Sequence, residues 1–227
     1  MKIDMHVHTC YSFDAISAPK DIVKTALKKK LDGIAVTDHN TIKAWKDFRE
    51  LSKKTGIKII FGEEIKIIEN GGKRGEVLGF FLNEFVAPGS LEEVTESIKS
   101  QAGVSVVAHP FNTLNKFKRI NGVERFVNGI EGFNSRVFSS ENNKKAMEFA
   151  KKTNLSVTGG SDAHIRFQIG NGVTCADVSG LEDFRKALLK RKTKVYGKKS
   201  SALWYIVPGF AKIKNFRFYH PHSRILL

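Results

Sequence analysis

Along this chain, short apolar runs alternate with stretches whose apolar residues recur at helical spacing. Residues 1–7 alternate in side-chain character, as a strand with one polar face does. The runs at 33–37 (GIAVT), 57–61, 77–82, 104–108, 129–133 and 156–158 predict six more strands. The fourth follows a turn-rich run, NGGKRG at 70–75. Ser17, Ala18 and Pro19 mark a helix start, and 21–30 carries the amphipathic pattern. A second helix is predicted over 41–54, stopped by Gly56. SLEE at 90–93 is a capping box opening a helix to about Gln101. Two more helices are predicted at 140–152 and 183–190. Repeated strand–helix units imply α/β class and a parallel sheet. Seven such strands predict a closed or nearly closed (β/α) barrel, an open doubly wound sheet being the alternative.

That pattern gives the ionisable residues a place. His6 and His8 end the first strand and project to the same side, because strand residues i and i+2 share a face. Asp38 and His39 follow the second strand, Glu63 and Glu64 the third, and His109 the fifth. Glu131 lies in the sixth, and Asp162 and His164 follow the seventh in GGSDAH. Five of the seven histidines therefore fall at the C-terminal ends of strands. In a barrel those ends form one rim, where catalytic groups gather. Taken singly, each has a plainer reading: Asp38 as a helix cap, His109 before Pro110 as a turn residue. Together they predict a metal site. Imidazoles and carboxylates without thiolates suit Zn, Mn or Fe, and there are more donors than one ion can hold.

Composition changes this picture little. Hydrophobic residues make up 41% and charged residues 27% of 227 residues, ordinary for a globular chain with one good-sized core. The two cysteines, Cys10 and Cys175, offer no disulfide framework; Cys10 neighbours His8 but reads as a small filler. Polar residues interrupt the N-terminal strand and the apolar stretch at 202–207 is short, so a cytoplasmic protein without a membrane partner is expected. The net charge of +15 favours anionic partners, nucleic acid included. Part of that charge is Lys-rich helix ends at 28–30 and 190–194, where cations suit the helix dipole.

Six stretches carry a resemblance: HVHTCYSFDA at 6–15, GIAVTDHNT at 33–41, IIFGEEI at 59–65, VVAHPF at 106–111, GIEGFN at 129–134 and GGSDAH at 159–164. In this order, over roughly residues 1–175, they resemble the PHP (polymerase and histidinol phosphatase) domain family. The resemblance implies a distorted seven-stranded TIM-like barrel with its active site at the C-terminal strand ends. It also implies a centre of two or three divalent ions that activates hydroxide for phosphate-ester hydrolysis. The implied ligands are His6, His8, Asp14, His39, Glu64, His109, Asp162 and His164, with Glu63 as a substitute for Glu64. Where the family usually has a histidine at the start of strand four, this chain has Glu76, which suits harder cations such as Mn or Fe. Arg136, Asp162 and His164 are the residues expected to act on substrate, Arg136 as a phosphate fork; Arg166 is a weaker candidate for that fork.

A nucleotide, an oligonucleotide end or another small phosphomonoester is the expected substrate. Two other readings are an amidohydrolase-type enzyme, which would use a strand-four lysine, and a non-catalytic RNA-binding subunit, which would lose the ligands. The barrel domain is expected over 1–195, with a basic, aromatic extension over 196–227 packed on it. In that extension Trp204, Tyr205, Phe210, Phe216, Phe218 and Tyr219 interleave with Lys212, Lys214 and Arg217, and His220 and His222 stand outside the motif order.

Overall fold

The computed structural model describes residues 1–113 and 115–211. Among these, nine strands make one sheet in the order β7-β6-β5-β4-β3-β2-β1-β8-β9. They are β1 (Lys2–Val7), β2 (Gly33–Val36), β3 (Lys58–Glu69), β4 (Gly72–Phe80), β5 (Val104–Val107), β6 (Gly129–Asn134), β7 (Ser156–Gly160), β8 (Gly172–Cys175) and β9 (Lys194–Gly197). The helices are α1 (Pro19–Lys28), α2 (Trp45–Thr55), α3 (Leu91–Ser100), α4 (Ser140–Thr153) and α5 (Leu181–Leu189). Their ends follow local chemistry. Pro19 opens α1, the Ser90–Glu93 capping box opens α3, and Gly56 ends α2 in the left-handed conformation.

The sheet curls until β7 meets β1, giving a nearly closed barrel. Val7 bridges Ala163 in parallel, His8 N–H donates to the Ala163 carbonyl at 3.0 Å, and Ser161 N–H donates to Asp4 Oδ1 at 2.8 Å. A Cβ on Gly160 would stand 2.3 Å from His6 Cβ, so this closure needs glycine there. β8 runs antiparallel to the start of β1, and β9 antiparallel to β8, covering the seam from outside the seven-strand ring.

The ring is not uniformly parallel. β4 runs antiparallel to both β3 and β5. The third strand does not stop at residue 61 but continues to Glu69, and only Asn70 and Gly71 separate it from β4. Both have positive φ, 50° and 71°, the geometry of a two-residue hairpin turn. A crossover helix has no room there, so the chain turns straight back. Glu63 and Glu64 therefore lie within a strand, and the start of β4, with Glu76, is at the rim because β4 runs the other way.

Side-chain parity divides the barrel into inside and outside. Ile60, Leu78, Phe80, Val104 and Val106 point inward and form one buried cluster with Ile3 and Met5. Phe184, Ala187 and Leu188 of α5 join it and cap the barrel at the end away from the rim. Ile34, Val36, Ile65, Val77, Val107 and Ile130 point outward into a second cluster with Ile22, Phe48, Ile98 and Ala146 of the helices. In β1 the register shifts between Asp4 and Val7, and there the parity changes: Ile3 and Met5 face the inner cluster but Val7 the outer one. This irregularity turns His6 and His8 inward above Met5.

Candidate metal centre

Above the apolar floor, the inward positions become ionisable. Glu64 continues the face of Ile60, and Glu76 the face of Leu78 and Phe80. His109 follows β5 with φ of 27°, and Asp162 follows β7 with φ of 52°. Both are strained conformations for residues with a Cβ, held by their surroundings. Asp14 comes from the loop after β1, His39 from the end of β2 and His164 from the loop after β7.

Glu64 is the hub. Its Oε2 lies 3.3 Å from His6 Nε2, 3.2 Å from His8 Nε2 and 3.1 Å from His39 Nδ1, and its Oε1 lies 3.0 Å from His109 Nε2. Asp162 Oδ1 lies 3.3 Å from His8 Nε2 and 3.4 Å from His164 Nδ1. Asp14 Oδ2 lies 3.2 Å from His164 Nε2 and 3.4 Å from His39 Nε2. Glu76 stands at the far side, with Oε1 3.7 Å from His39 Nδ1 and Oε2 3.6 Å from His109 Nε2. Three groupings place one donor atom per residue within 4.8 Å of the others: His8, Asp14, His39 and His164; His6, His8 and Glu64; and His39, Glu64 and Glu76.

Behind these donors is a layer that fixes them. His6 Nδ1 pairs with Glu131 Oε1 at 2.8 Å, which leaves Nε2 facing the cluster. Glu131 Oε2 in turn accepts from His109 N–H at 2.8 Å and Asn134 Nδ2 at 3.0 Å. His8 Nδ1 lies 3.2 Å from Ser12 Oγ, which donates to Asp38 Oδ1 at 2.8 Å. Asp38 also accepts from Thr9 N–H and Thr9 Oγ1 at 2.7 and 2.8 Å. Glu131 and Asp38 thus stand behind the imidazoles and orient them. The sequence did not distinguish that role from ligation, and it gave no reason to single out Ser12 or Asn134, though both lie in quoted motifs.

The donor set fits divalent cations. His6 Nε2 and His8 Nε2 face each other at 3.0 Å, a contact that two lone pairs make only around a shared proton or cation. Asp14 Oδ1 and His109 Nδ1 are buried without a hydrogen-bond partner. Burial opposes charge on every group here, and at all but His164 of those described next the mutual attractions win. Against its burial, His6 is held well above the ordinary imidazole range by Glu131, Asp162 and Glu64. His8 is pushed up to about 10, its burial outweighed by Asp162 and Glu64. Glu64 and Asp162 are held well below the usual carboxylate range despite burial, chiefly by His39 and His6 on Glu64 and by His6 and Arg136 on Asp162. His164, buried and beside Arg136 and His8, falls to about 4 and stays neutral, with a lone pair to offer. Buried carboxylates this close to one another demand positive charge, which protons supply on imidazoles when metal does not.

Other candidates fall elsewhere. Glu63 faces the opposite side of β3 and accepts from Val86 N–H at 3.1 Å. Burial pushes its carboxyl up to about 8. Arg136 lies against the cluster, its Nη1 3.6 Å from Asp162 Oδ1 and in hydrogen-bond contact with His164. Arg166 instead pairs with Asp21 at 3.6 Å in a separate groove. Cys10 is exposed and belongs to none of the three groupings. The longer β4 contains Lys73, absent from the predicted strand, and its Nζ pairs with Glu76 Oε1 at 2.8 Å. The centre opens into a cavity of about 740 Å³ whose walls include Asn112, Asn115, Arg136, Phe138 and Pro208. Pro208 belongs to the C-terminal segment, and Trp204 stacks on Phe167 with ring centroids 5.7 Å apart. β9 runs across the expected boundary at 195, and Lys212, Lys214, Phe216, Arg217, Phe218, Tyr219, His220 and His222 lie outside the described residues. No helix among the described residues is long and apolar enough to cross a membrane.

Comparison with known proteins fits this geometry. A family model described as the PHP domain matches residues 4–198. An uncharacterised protein of Methanocaldococcus jannaschii is 36% identical over 146 residues, 60% of this chain and 82% of that protein. A probable phosphatase of Acetivibrio thermocellus is 28% identical over 196 residues, covering 74% of this chain and 81% of its own. Among solved structures, a two-domain protein of Bacteroides vulgatus containing a predicted PHP-like metal-dependent phosphoesterase superposes with a TM-score of 0.72 at 24% identity. That match covers 87% of this chain, which spans only 65% of that longer one.

Proposed function

The chain belongs to the PHP domain family, and on that premise we propose that it hydrolyses phosphate esters with two or three divalent ions held on the barrel rim. One observation carries this reading: a single buried carboxylate, Glu64, touches four imidazoles from three different segments. His6, His8, Asp14, His39, Glu64, His109, Asp162 and His164 are the proposed ligands, with Glu76 as an oxygen donor beside His39. Zn, Mn or Fe there would supply Lewis acidity towards phosphoryl oxygens and acidify water.

The chain's own residues do the rest. Glu131 and the Ser12–Asp38 pair fix the tautomers of His6 and His8, so that each turns the same ring nitrogen inward. Arg136, on the cavity wall beside Asp162 and His164, presents a planar fork of donors to a phosphate. The three residues together form the edge of the site where substrate would be held. The cavity, about 740 Å³, is large enough for a nucleotide-sized group. A phosphate monoester or the phosphorylated end of a strand fits it. The amidohydrolase reading loses support because Lys73, the lysine of β4, is engaged with Glu76 instead of lying among the imidazoles.

Hydrolysis of an aryl phosphate, a 5′-phosphorylated oligonucleotide and an amide panel, each with Mn and with chelator, tests the proposal. Release of phosphate that chelator stops and that the Asp162→Ala/His164→Ala variant lacks is the expected result. Amide cleavage without ester cleavage, by metal-loaded protein, would overturn it.

A further inference from the structure

A second groove, of about 480 Å³, lies between α1 and the turn at 166–168 and shares no lining residue with the cavity of the centre. One wall is α1, which presents Lys24 and Lys28 one helical turn apart. The other is the turn at 166–168, which presents Arg166 and Phe167. Lys29 closes the floor, its Nζ donating to the Phe167 carbonyl at 3.2 Å and also to the Ile169 carbonyl. The four cations face one carboxylate, Asp21, which pairs with Arg166 at 3.6 Å. Among the described residues, neither Lys24 nor Lys28 makes a salt bridge, so most of this charge is uncompensated.

The groove also has a planar apolar element. Phe167 is 53% exposed, so its ring is open to a ligand in the groove. The Arg166 guanidinium lies 5.0 Å from its centroid, and Trp204 stacks on it with an interplanar angle of 23°. Positive charge beside stacked rings suits a nucleic-acid strand, whose phosphates take the cations and whose bases extend the stack. A free phosphate has no use for the rings.

Position links this groove to the reaction. Arg166 follows His164 by two residues, at most about 7 Å of backbone. The connection is stiff: Ile16 N–H donates to the His164 carbonyl at 3.1 Å, and Arg166 N–H donates to Ser17 Oγ at 2.7 Å. This short link makes Arg166 the point at which a strand with its terminal phosphate at Arg136 and the metal centre would enter the groove. We propose that the groove between α1 and Phe167 is a second, non-catalytic binding site for the backbone of a single-stranded nucleic acid whose end occupies the metal centre. The substrate is then a strand end and not a free phosphomonoester. This rests on the phosphoesterase reading for its catalytic half only.

The test is fluorescence anisotropy of the full chain, in chelator to prevent cleavage, with a labelled single-stranded 12-mer bearing a terminal phosphate. Each lost phosphate contact lowers the slope of log K against log salt by about 0.7 for a single strand. The Lys24→Gln/Lys28→Gln variant should lose about 1.4 in slope and bind about 25-fold more weakly at 0.1 M salt. Both lysines are exposed, so the fold should be unaffected. Phe167→Ala should weaken binding about five-fold or more at any salt. With Mn, the lysine variant should keep the wild-type rate on an aryl phosphate while KM for the oligonucleotide rises. Unchanged affinity and slope in the lysine variant would overturn the groove while leaving the phosphoesterase reading standing. So would failure of the wild type to bind the 12-mer, or Lys24- and Lys28-dependent binding to anionic phosphatidylserine vesicles in its place. Loss of strand binding in the variants, with no ester hydrolysed by any metal-loaded form, would uphold the groove and sink the catalytic reading.

Discussion

The inward face of this barrel has two halves built on the same strands. At the floor, Ile60, Leu78, Phe80, Val104 and Val106 meet Phe184 and Leu188 of α5, an apolar packing with nothing to neutralise. One or two side chains further along the same faces, Glu64 and Glu76 stand among His6, His8, His39 and His109, all buried or nearly so. Burying an apolar side chain stabilises by about 1.5–3 kcal/mol, whereas burying a charge costs several kcal/mol unless it is paired. The lower half therefore holds the barrel together, and the upper half is a burden that the fold tolerates. Equal burial thus has opposite meanings in the two halves. Only in the upper one does it create a demand for cations, and that demand is what makes the rim a site.

The comparison breaks most visibly at Glu64. Glu64→Ala removes the carboxylate shared by four imidazoles. We expect kcat/KM on an aryl phosphate to fall by about 10³ or more, since several kcal/mol of charge stabilisation depend on it, and bound metal measured by plasma mass spectrometry to drop. Activity within ten-fold of wild type would mean that the hub is structural. Phe80→Ala tests the other half. It should destabilise by about 3–5 kcal/mol in urea unfolding and leave metal content per folded molecule unchanged. If metal binding fell as steeply as stability, the two halves would not be separable.

How much of this division is written in the chain depends on what each signal encodes. His6 and His8 were legible as a same-side pair because strand residues i and i+2 share a face, and His39, His109 and His164 because they fall just after strands whose C-terminal ends form one rim; that the pair turns inward depends on the irregularity in β1. The reversal of β4 was not read, although Asn70-Gly71 is itself a hairpin signal. Alternation of apolar residues is blind to strand direction, so GEVLGF fits either sense. β8 and β9 are four residues each, with glycine at one end and lysine-rich context for β9, too short for periodicity to register. Glu131 and Glu63 show the limit at the site. Both were placed near the rim by sequence, but only the three-dimensional structure separates Glu131 behind His6, and Glu63 on the outer face, from Glu64 among the imidazoles. Asp14 sits in a loop where parity says nothing, and only the family resemblance pointed to it.

The two ways of neutralising the upper half, protons and metal, should respond oppositely to pH. In chelator, His8 and His109, buried but pushed up to about 10 and about 9 by the carboxylates beside them, carry the balancing protons. Their folded values exceed the ordinary 6.5, so the stability they contribute is complete below about pH 6.5 and is lost as pH rises through 9–10. The metal-free protein should therefore melt at progressively lower temperature from pH 6.5 to 10, by at most about 1.4 kcal/mol per pH unit for each imidazole. Excess Mn should flatten this decline, because metal binding needs the neutral imidazoles that high pH supplies. Scanning calorimetry with and without chelator makes the comparison. Parallel curves would show that the imidazoles and the metal do not compete for the same atoms.

The smallest expected effect lies at the edge of the upper half, where a side chain of the protein already provides a cation. Lys73 Nζ is 2.8 Å from Glu76 Oε1, on the hairpin that rises past the rim. Its ammonium occupies the carboxylate that an ion held by His39, Glu64 and Glu76 would use. Lys73→Met frees Glu76 while keeping the length and apolar stem of the side chain. Because the lysine is partly exposed and solvent screens the pair, the gain is bounded by the value of a surface ion pair, about 0.2–1 kcal/mol. The weakest-bound Mn equivalent should thus tighten by no more than about five-fold, read by titration calorimetry at fixed pH. Weaker Mn binding in Lys73→Met would reverse the assignment and make Lys73 a support that orients Glu76 for the ion. The sign of that change decides whether the rim's outermost carboxylate is balanced by the chain or left for a metal.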